Sequence, residues 1–110
     1  MKLIVNNQQI PLEIKDTPSS RNVGMMGREE LNGGMLFIFD GVKERSFWMK
    51  DCLIPLDIFF IVNDTISNIH LNCEPCNSEP CKSYYGVCDM VLECKSNKYS
   101  IEIGDKITLI

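Results

Sequence analysis

The 110-residue chain has no hydrophobic run long enough to cross a lipid bilayer. No apolar run is longer than that of residues 58–62, whereas a membrane-spanning helix needs roughly 20 residues. We also expect no secretion leader in the chain as given, because Lys2 is followed by only three apolar residues before a polar stretch begins at Asn6. We therefore expect no membrane insertion and, for the chain as given, a cytoplasmic location.

The sequence also lacks any cluster of positive charge. Its 11 Lys and Arg residues are scattered, and 15 Asp and Glu residues give a formal net charge of −4. Binding to nucleic acid or to anionic membrane depends on clustered cations that neutralise phosphate groups. We therefore expect no nucleic-acid partner, which leaves a small molecule or another protein as partner classes.

The motifs of the well-known cofactor enzymes are missing too. The chain contains no Gly-rich phosphate loop, no Ser-centred nucleophile elbow and no metalloprotease helix. No repeat, low-complexity tract or linker interrupts it, and 110 residues suit one compact domain. We predict a single domain over residues 1–110 that carries no cofactor.

Short strand-like segments separated by turn residues make up most of the sequence. They cover residues 2–5, 8–14, 35–39, 45–49, 56–62, 67–71, 90–94 and 107–110. Pro11 predicts that the second segment is an edge strand, because proline cannot donate to a ladder. A short helix is predicted to begin with Thr17 as cap and Pro18 in its first turn, with a second helical turn over residues 28–31.

These segments predict a small, mostly β, single-domain barrel or sandwich of mainly antiparallel strands with one or two short helices. The core is expected to be built from apolar residues of the strands. They are Ile4, Val5, Leu12, Leu36, Ile38, Phe47, Met49, Leu56, Ile58, Phe60, Val91 and Leu92.

The run from Phe47 to Ile61 places charged residues inside strand-like apolar segments. Both faces of its second half are largely apolar, as in a strand that is covered on two sides. Asp57 is therefore expected to be desolvated, which is costly for a carboxylate without a partner. Arg28, Lys50 or backbone donors are its candidate partners.

Three functional interpretations follow from these charges. In the leading one, the protein is a non-enzymatic accessory or ligand-binding domain, in which a pocket holds a sugar-like or small anionic ligand and Trp48 is a stacking surface. The residues of this predicted site are Arg28, Trp48, Lys50, Asp57 and Glu93. The second is a hydrolase-like enzyme that uses Asp57 and Glu93 as general acid and base. The third is a structural or protein-interaction domain in which the charges only stabilise the fold.

Six cysteines are many for a domain of this size. A disulfide between Cys76 and Cys81, free thiols, and a structural zinc site are all open alternatives. The zinc ligands would be Cys73, Cys76, Cys81 and Cys88. Cys52 lies close to Lys50, which lowers a thiol pKa when the two are in contact. No motif supports a nucleophile there, and a small core cysteine is the preferred interpretation.

Several motifs in a fixed order resemble the Domain of Unknown Function 192 family. They are Met25-Met26-Gly27-Arg28, Gly34-Met35-Leu36-Phe37-Ile38-Phe39, Phe47-Trp48-Met49-Lys50, Leu53-Ile54-Pro55-Leu56-Asp57-Ile58-Phe59-Phe60, Leu92-Glu93 and Gly104-Asp105. The resemblance covers nearly the whole chain, from about Val5 onwards. It implies a small, mostly β domain of bacteria, archaea and phages, often exported, with no established reaction or substrate.

The resemblance also bears on the cysteines. Similar family members often carry a cysteine pair before a tyrosine, which corresponds to Cys76, Cys81 and Tyr84. Asp51 and Cys52 depart from the family, which usually has Asn and Thr at these positions. The change of charge beside Lys50 limits what can be transferred about a ligand.

Overall fold

The computed structural model describes all 110 residues as one seven-stranded sheet and one short helix. The elements in chain order are β1 (Lys2–Val5), β2 (Gln8–Lys15), α1 (Pro18–Val23), β3 (Gly34–Trp48), β4 (Leu56–Val62), β5 (Thr65–Cys73), β6 (Ser83–Lys95) and β7 (Thr108–Leu109). In space the strands follow the order β5-β4-β6-β3-β2-β1-β7. All neighbours are antiparallel except β2 and β3. The predicted mostly β class is confirmed.

The sheet curls into a half-barrel. The segment before β7 bonds to the start of β5, at the other end of the strand order. The Ile66 amide donates to the Asp105 carbonyl at 2.8 Å, and the Ile107 amide donates to the Asp64 carbonyl at 2.8 Å. These two hydrogen bonds stabilise the curvature of the sheet, because they join its two ends.

Apolar side chains fill both faces of the curled sheet. Phe37, Phe60 and Val91 belong to one cluster, whereas their chain neighbours Phe59 and Leu92 belong to the other. The alternation of side chains along a strand explains this division. Of the predicted core, eight residues are buried: Val5, Leu36, Met49, Leu56, Ile58, Phe60, Val91 and Leu92. Four are only half-buried: Ile4, Leu12, Ile38 and Phe47.

Two local predictions about strands were wrong. The segments 35–39 and 45–49 form one strand, because β6 pairs with both halves of β3 and the irregularity between Ile38 and Lys43 does not end the pairing. β2 is an interior strand between β1 and β3, not an edge strand. Pro11 is tolerated there because the pairing with β3 begins only at Leu12, so no partner carbonyl is left without its donor.

The helix forms where it was predicted. The Thr17 hydroxyl accepts from the Ser20 amide at 3.2 Å, the Ser20 hydroxyl accepts from the Thr17 amide at 3.1 Å, and Pro18 is the first helical residue. The helix ends at Gly24, whose φ is +46°. Residues 28–31 form no second helical turn. With six residues in α1, the fold has no helix that is long and apolar enough to cross a membrane.

Candidate functional site

A cavity of about 560 Å³ lies between α1, the middle of β3 and the chain that follows β3. Volumes of this order are typical of sites for small molecules. Its lining is mixed, with both apolar and charged side chains. The apolar and aromatic members are Pro18, Val23, Met25, Met26, Phe37, Phe39, Phe47, Trp48 and Cys52.

One wall of the cavity is built by two short segments that pair with each other. Met26 forms a bridge with Cys52, and the Gly27 amide donates to the Asp51 carbonyl at 2.8 Å. Asp51 has a φ of +59°, so the chain turns sharply directly after Lys50. These bonds hold the backbone that carries Lys50 and Cys52 against the end of α1.

Cationic side chains outnumber acidic ones at the cavity, whereas acidic side chains outnumber cationic ones in the whole chain. Four cationic side chains line the cavity: Arg21, Lys43, Arg45 and Lys50. Only two acidic side chains do so, Asp40 and Glu93. Because the protein carries a formal charge of −4, this excess of cations is local and favours an anion in the cavity.

The two arginines meet at the Phe39 ring. The Arg45 guanidinium lies 4.2 Å from the ring centroid, and the Arg21 guanidinium lies 5.0 Å from it. Arg21 donates from Nη1 to the Ile38 carbonyl at 2.9 Å, and Arg45 donates from Nη2 to the Gly41 carbonyl at 3.0 Å. Nε and Nη1 of Arg45 are buried and have no hydrogen-bond partner in the protein. Buried donors without a partner are rare, which marks Arg45 as a functional candidate.

Trp48 and Lys50 also line the cavity. The Trp48 side chain is exposed, and Nζ of Lys50 lies 5.3 Å from its ring centroid. The same ammonium lies 3.4 Å from the Glu79 carboxylate. Glu79 belongs to the loop that the Cys76–Cys81 disulfide closes. The loop therefore positions the lysine beside an exposed aromatic ring.

Glu93 supplies a buried carboxyl group to the cavity wall. It lies on β6 opposite Met35 of β3 and Ile58 of β4, and it is 3% exposed. Burial alone raises the pKa of this carboxyl to about 8, and no hydrogen bond or ion pair compensates it. Glu93 is therefore a neutral acid at pH 7.

Arg28 and Asp57 lie away from the cavity. The Arg28 guanidinium is paired with Glu13 of β2 through two hydrogen bonds, and this pairing lowers the pKa of Glu13. Asp57 accepts from the amides of Asn72 at 2.8 Å and Asn97 at 3.0 Å, and from the Ser96 hydroxyl at 3.3 Å. Asp57 thus ties the end of β5 to the turn after β6.

The structure therefore brings together three of the five predicted site residues, namely Trp48, Lys50 and Glu93. The hydrolase alternative required Asp57 and Glu93 to face one cleft. The register pairs Asp57 with Cys94 and Ile58 with Glu93, so the two carboxyl groups lie on opposite faces of the sheet. They are not placed to act as an acid–base pair.

The sequence interpretation missed Arg21 and Arg45. A signal for Arg45 was present, since it alternates with Phe47 and Met49 and therefore shares the face that packs on the core. Arg21 carried no such signal, because its place depends on how α1 packs against β3.

The cysteines contradict the zinc alternative. Cys76 and Cys81 form a disulfide, so their sulfurs cannot ligate zinc, and no group of three or more potential ligands is arranged around a common point. Burial raises the pKa of the Cys73 and Cys88 thiols to about 11. Burial also raises the pKa of Cys52 to about 12, so this thiol is a core group and not an activated nucleophile.

Comparison with protein families matches residues 1–109 to DUF192, a family described as "Uncharacterized ACR". The chain belongs to this family. No curated protein matches it.

Two solved structures share the DUF192 fold seen here. One is a protein from Sinorhizobium meliloti 1021 that is described as a candidate transcription regulator and is 31% identical. The match covers 97% of this chain and 89% of that chain, with a TM-score of 0.83. The other is a protein of unknown function from Novosphingobium aromaticivorans DSM 12444, which is 29% identical. The match covers 98% of this chain and 84% of that chain, with a TM-score of 0.85. Neither description names a ligand.

Proposed function

We propose that this DUF192 domain is a non-enzymatic binding module whose cavity holds a small anionic, sugar-like ligand. The observation that carries the proposal is the convergence of four cationic side chains on one cavity of an otherwise acidic protein. An anion in the cavity would be attracted by all four, and its attraction would be stronger than in bulk water because apolar groups form much of the wall.

Each side of the cavity suits one part of such a ligand. The guanidinium groups of Arg21 and Arg45 have a planar shape that matches a carboxylate, sulfate or phosphate group. The exposed ring of Trp48 offers an apolar face on which a sugar ring can stack. Lys50 is held beside this ring and adds a further positive charge.

Binding is favoured over catalysis by the chemistry of the neighbouring groups. The buried Cys52 thiol has a raised pKa, and Asp57 faces the other side of the sheet. The Sinorhizobium meliloti neighbour is described as a candidate regulator, but the net charge of −4 and the scattered cations of this chain do not favour nucleic acid. We therefore restrict the proposal to a small ligand.

The experiment is a titration followed by amide NMR shifts and by calorimetry, with glucuronate, sulfate and glucose as probes. Glucuronate combines a sugar ring with a carboxylate, sulfate supplies charge alone, and glucose supplies the ring alone. We expect glucuronate and, more weakly, sulfate to shift the amides around Arg21, Arg45 and Lys50, while glucose has a smaller effect. The proposal is overturned if neither anion shifts these amides at millimolar concentration.

A pair of matched arginine variants locates the site. Arg45→Gln removes a cavity cation, whereas Arg28→Gln removes an arginine that is paired with Glu13 outside the cavity. We expect Arg45→Gln to weaken glucuronate binding by about ten- to hundredfold, in line with the roughly 1.5–3 kcal/mol of a charged hydrogen bond. Arg28→Gln should bind as the parent does. Equal loss in both variants would mean that the anion binds through general charge and not in this cavity.

A further inference from the structure

Glu93 is a buried acid without a protein partner, on the wall of the proposed ligand cavity. The contrast with Asp57 shows how unusual this is. Asp57 is 2% exposed and accepts three hydrogen bonds, whereas Glu93 is 3% exposed and accepts none. A buried polar group without a partner destabilises the folded protein, because it has lost its hydrogen bonds to water. A structural role for Glu93 does not account for this cost.

No cation neutralises Glu93. Its strand neighbours on the same face, Met35 and Ile58, are apolar. The Cys52 thiol from the chain after β3 and the Cys73 thiol from β5 belong to the same buried cluster as Met35 and Ile58, and, after burial, Glu93 contributes to raising the pKa of both thiols. Both thiols are raised in pKa and uncharged at neutral pH.

The other charged or titratable groups around Glu93 either line the cavity or lie on the opposite face of the sheet. Arg21 comes from α1, Lys50 from the chain after β3, and Arg45, Lys43 and Asp40 from β3 itself. None of them forms an ion pair with Glu93. Asp57 of β4 and the Cys94 thiol of β6 lie on the opposite face of the sheet. Burial is therefore the only influence on the ionisation of Glu93, and it keeps the acid protonated at pH 7.

A protonated carboxyl group can do what a carboxylate cannot. It has an O–H that donates a hydrogen bond, and it does not repel an anion that the arginines attract. A ligand oxygen that reaches the wall would supply the acceptor that the protein itself does not supply. A hydroxyl, a carbonyl or a second acid oxygen all meet this requirement.

We propose that Glu93 donates a hydrogen bond to an oxygen of the bound ligand, and that the ligand class is therefore small organic oxyacids. In such a molecule an anionic group meets Arg21 and Arg45, and a second oxygen meets Glu93. This inference rests on the proposed anion-binding function of the same cavity. It adds the requirement for the second oxygen and a specificity-determining role for Glu93.

Binding of such a ligand is linked to the proton on Glu93. Above a pH of about 8 the acid ionises, so the ligand loses its donor and meets a negative charge instead. Affinity should therefore fall by up to about tenfold for each pH unit above that point. A simple anion that contacts only the arginines should depend less on pH.

The test measures dissociation constants for glucuronate and sulfate between pH 6 and 9, because neither probe titrates in this range. The proteins are the parent, Glu93→Gln and Glu93→Leu. Gln keeps an N–H donor without a titrating proton, whereas Leu keeps the approximate volume without any donor. Melting temperatures confirm that each variant is folded.

We expect parent affinity for glucuronate to fall about tenfold between pH 7 and pH 9. With Glu93→Gln the change should be less than about twofold, and Glu93→Leu should bind glucuronate weakly at every pH while sulfate binding is retained. The inference is overturned if glucuronate binding to the parent is independent of pH, if Gln and Leu behave alike, or if sulfate binds and glucuronate binds no better. If neither anion binds the parent at any pH, the proposed function fails as well.

Discussion

Asp57 and Glu93 lie on neighbouring strands but on opposite faces of the same sheet. Asp57 is paired in register with Cys94, and Glu93 is paired with Ile58. They are the two buried acidic side chains of the protein. One accepts three hydrogen bonds from the protein and the other accepts none. This contrast assigns a structural role to Asp57 and leaves Glu93 for the cavity.

Replacing Asp57 should destabilise the fold without affecting the cavity. Asp57 is buried, and Asp57→Ala leaves the amides of Asn72 and Asn97 without their acceptor, so we expect a loss of about 3 kcal/mol in the free energy of unfolding. Urea denaturation measures it. The control is Asp16→Ala, which changes an exposed acid outside the cavity and should cost less than about 0.5 kcal/mol. A loss below 1 kcal/mol for Asp57→Ala would contradict the structural role.

The raised pKa of Glu93 makes stability depend on pH. Below a pH of about 4.5 the folded and unfolded chains both hold the proton, so Glu93 contributes no pH dependence. Between 4.5 and about 8 the unfolded chain has released the proton and the folded chain has not, so stability falls as pH rises. Above a pH of about 8, Glu93 is ionised in both the folded and the unfolded chain, so its destabilising effect no longer changes with pH.

Glu93→Gln removes this dependence. The melting temperature of the variant minus that of the parent should increase steadily from pH 4.5 to pH 8, by on the order of 20 °C in total. Calorimetric scans across this range measure it. Glu44→Gln, at an exposed position of β3, serves as the control and should give a flat difference. A flat difference for Glu93→Gln would mean that Glu93 ionises normally in the folded protein.

The cysteines should divide into two classes in solution. Cys52, Cys73, Cys88 and Cys94 are buried and free, and burial raises the pKa of each thiol. A thiol reagent should therefore modify none of them rapidly in the native protein and four of them in denaturant. Reducing the protein first should raise the number of cysteines modified in denaturant to six, because reduction opens the Cys76–Cys81 disulfide. Rapid native modification of Cys52 would refute its assignment as a core residue.

The same disulfide should stabilise the loop that holds Glu79 beside Lys50. Cys76 and Cys81 are separated by five positions, so the closed loop is short and its contribution is about 2 kcal/mol by chain-entropy arguments. We expect the Cys76→Ala, Cys81→Ala double variant to lose about this amount in urea denaturation. The parent in reducing agent should match it. An unchanged midpoint under reduction would show that the bond does not contribute to stability.

The parts of the fold that follow from local chemistry were predictable. Thr17 and Pro18 start the helix by capping and by a preset φ, and the apolar residues of β4 predict a strand covered on both sides. The continuity of β3 was not predictable, because Asp40-Gly41 has the chemistry of a turn and only the pairing with β6 overrides it.

The site depended on contacts between distant segments. The sequence analysis placed Glu93 among the residues of the predicted site, and Glu93 lines the cavity. Its separation from Asp57 depends on the β4–β6 register, which the sequence does not specify. Arg21 reaches Phe39 only because α1 packs over β3. Residues that define a pocket between elements are the ones that single-segment reasoning cannot place.

Gly86 of β6 offers the sharpest test of the packing. A Cβ atom at this position would overlap with Cγ of Phe60, which is fully buried. Gly86→Ala should therefore cost about 2–3 kcal/mol through overpacking, although alanine suits a strand at least as well as glycine does. Phe60→Ala alone should also destabilise, because it leaves a cavity. The double variant should be more stable than the sum of the two costs predicts, since alanine at position 60 lacks the Cγ and Cδ atoms that the new methyl group would meet. Strict additivity in urea denaturation would show that Gly86 and Phe60 are not in contact.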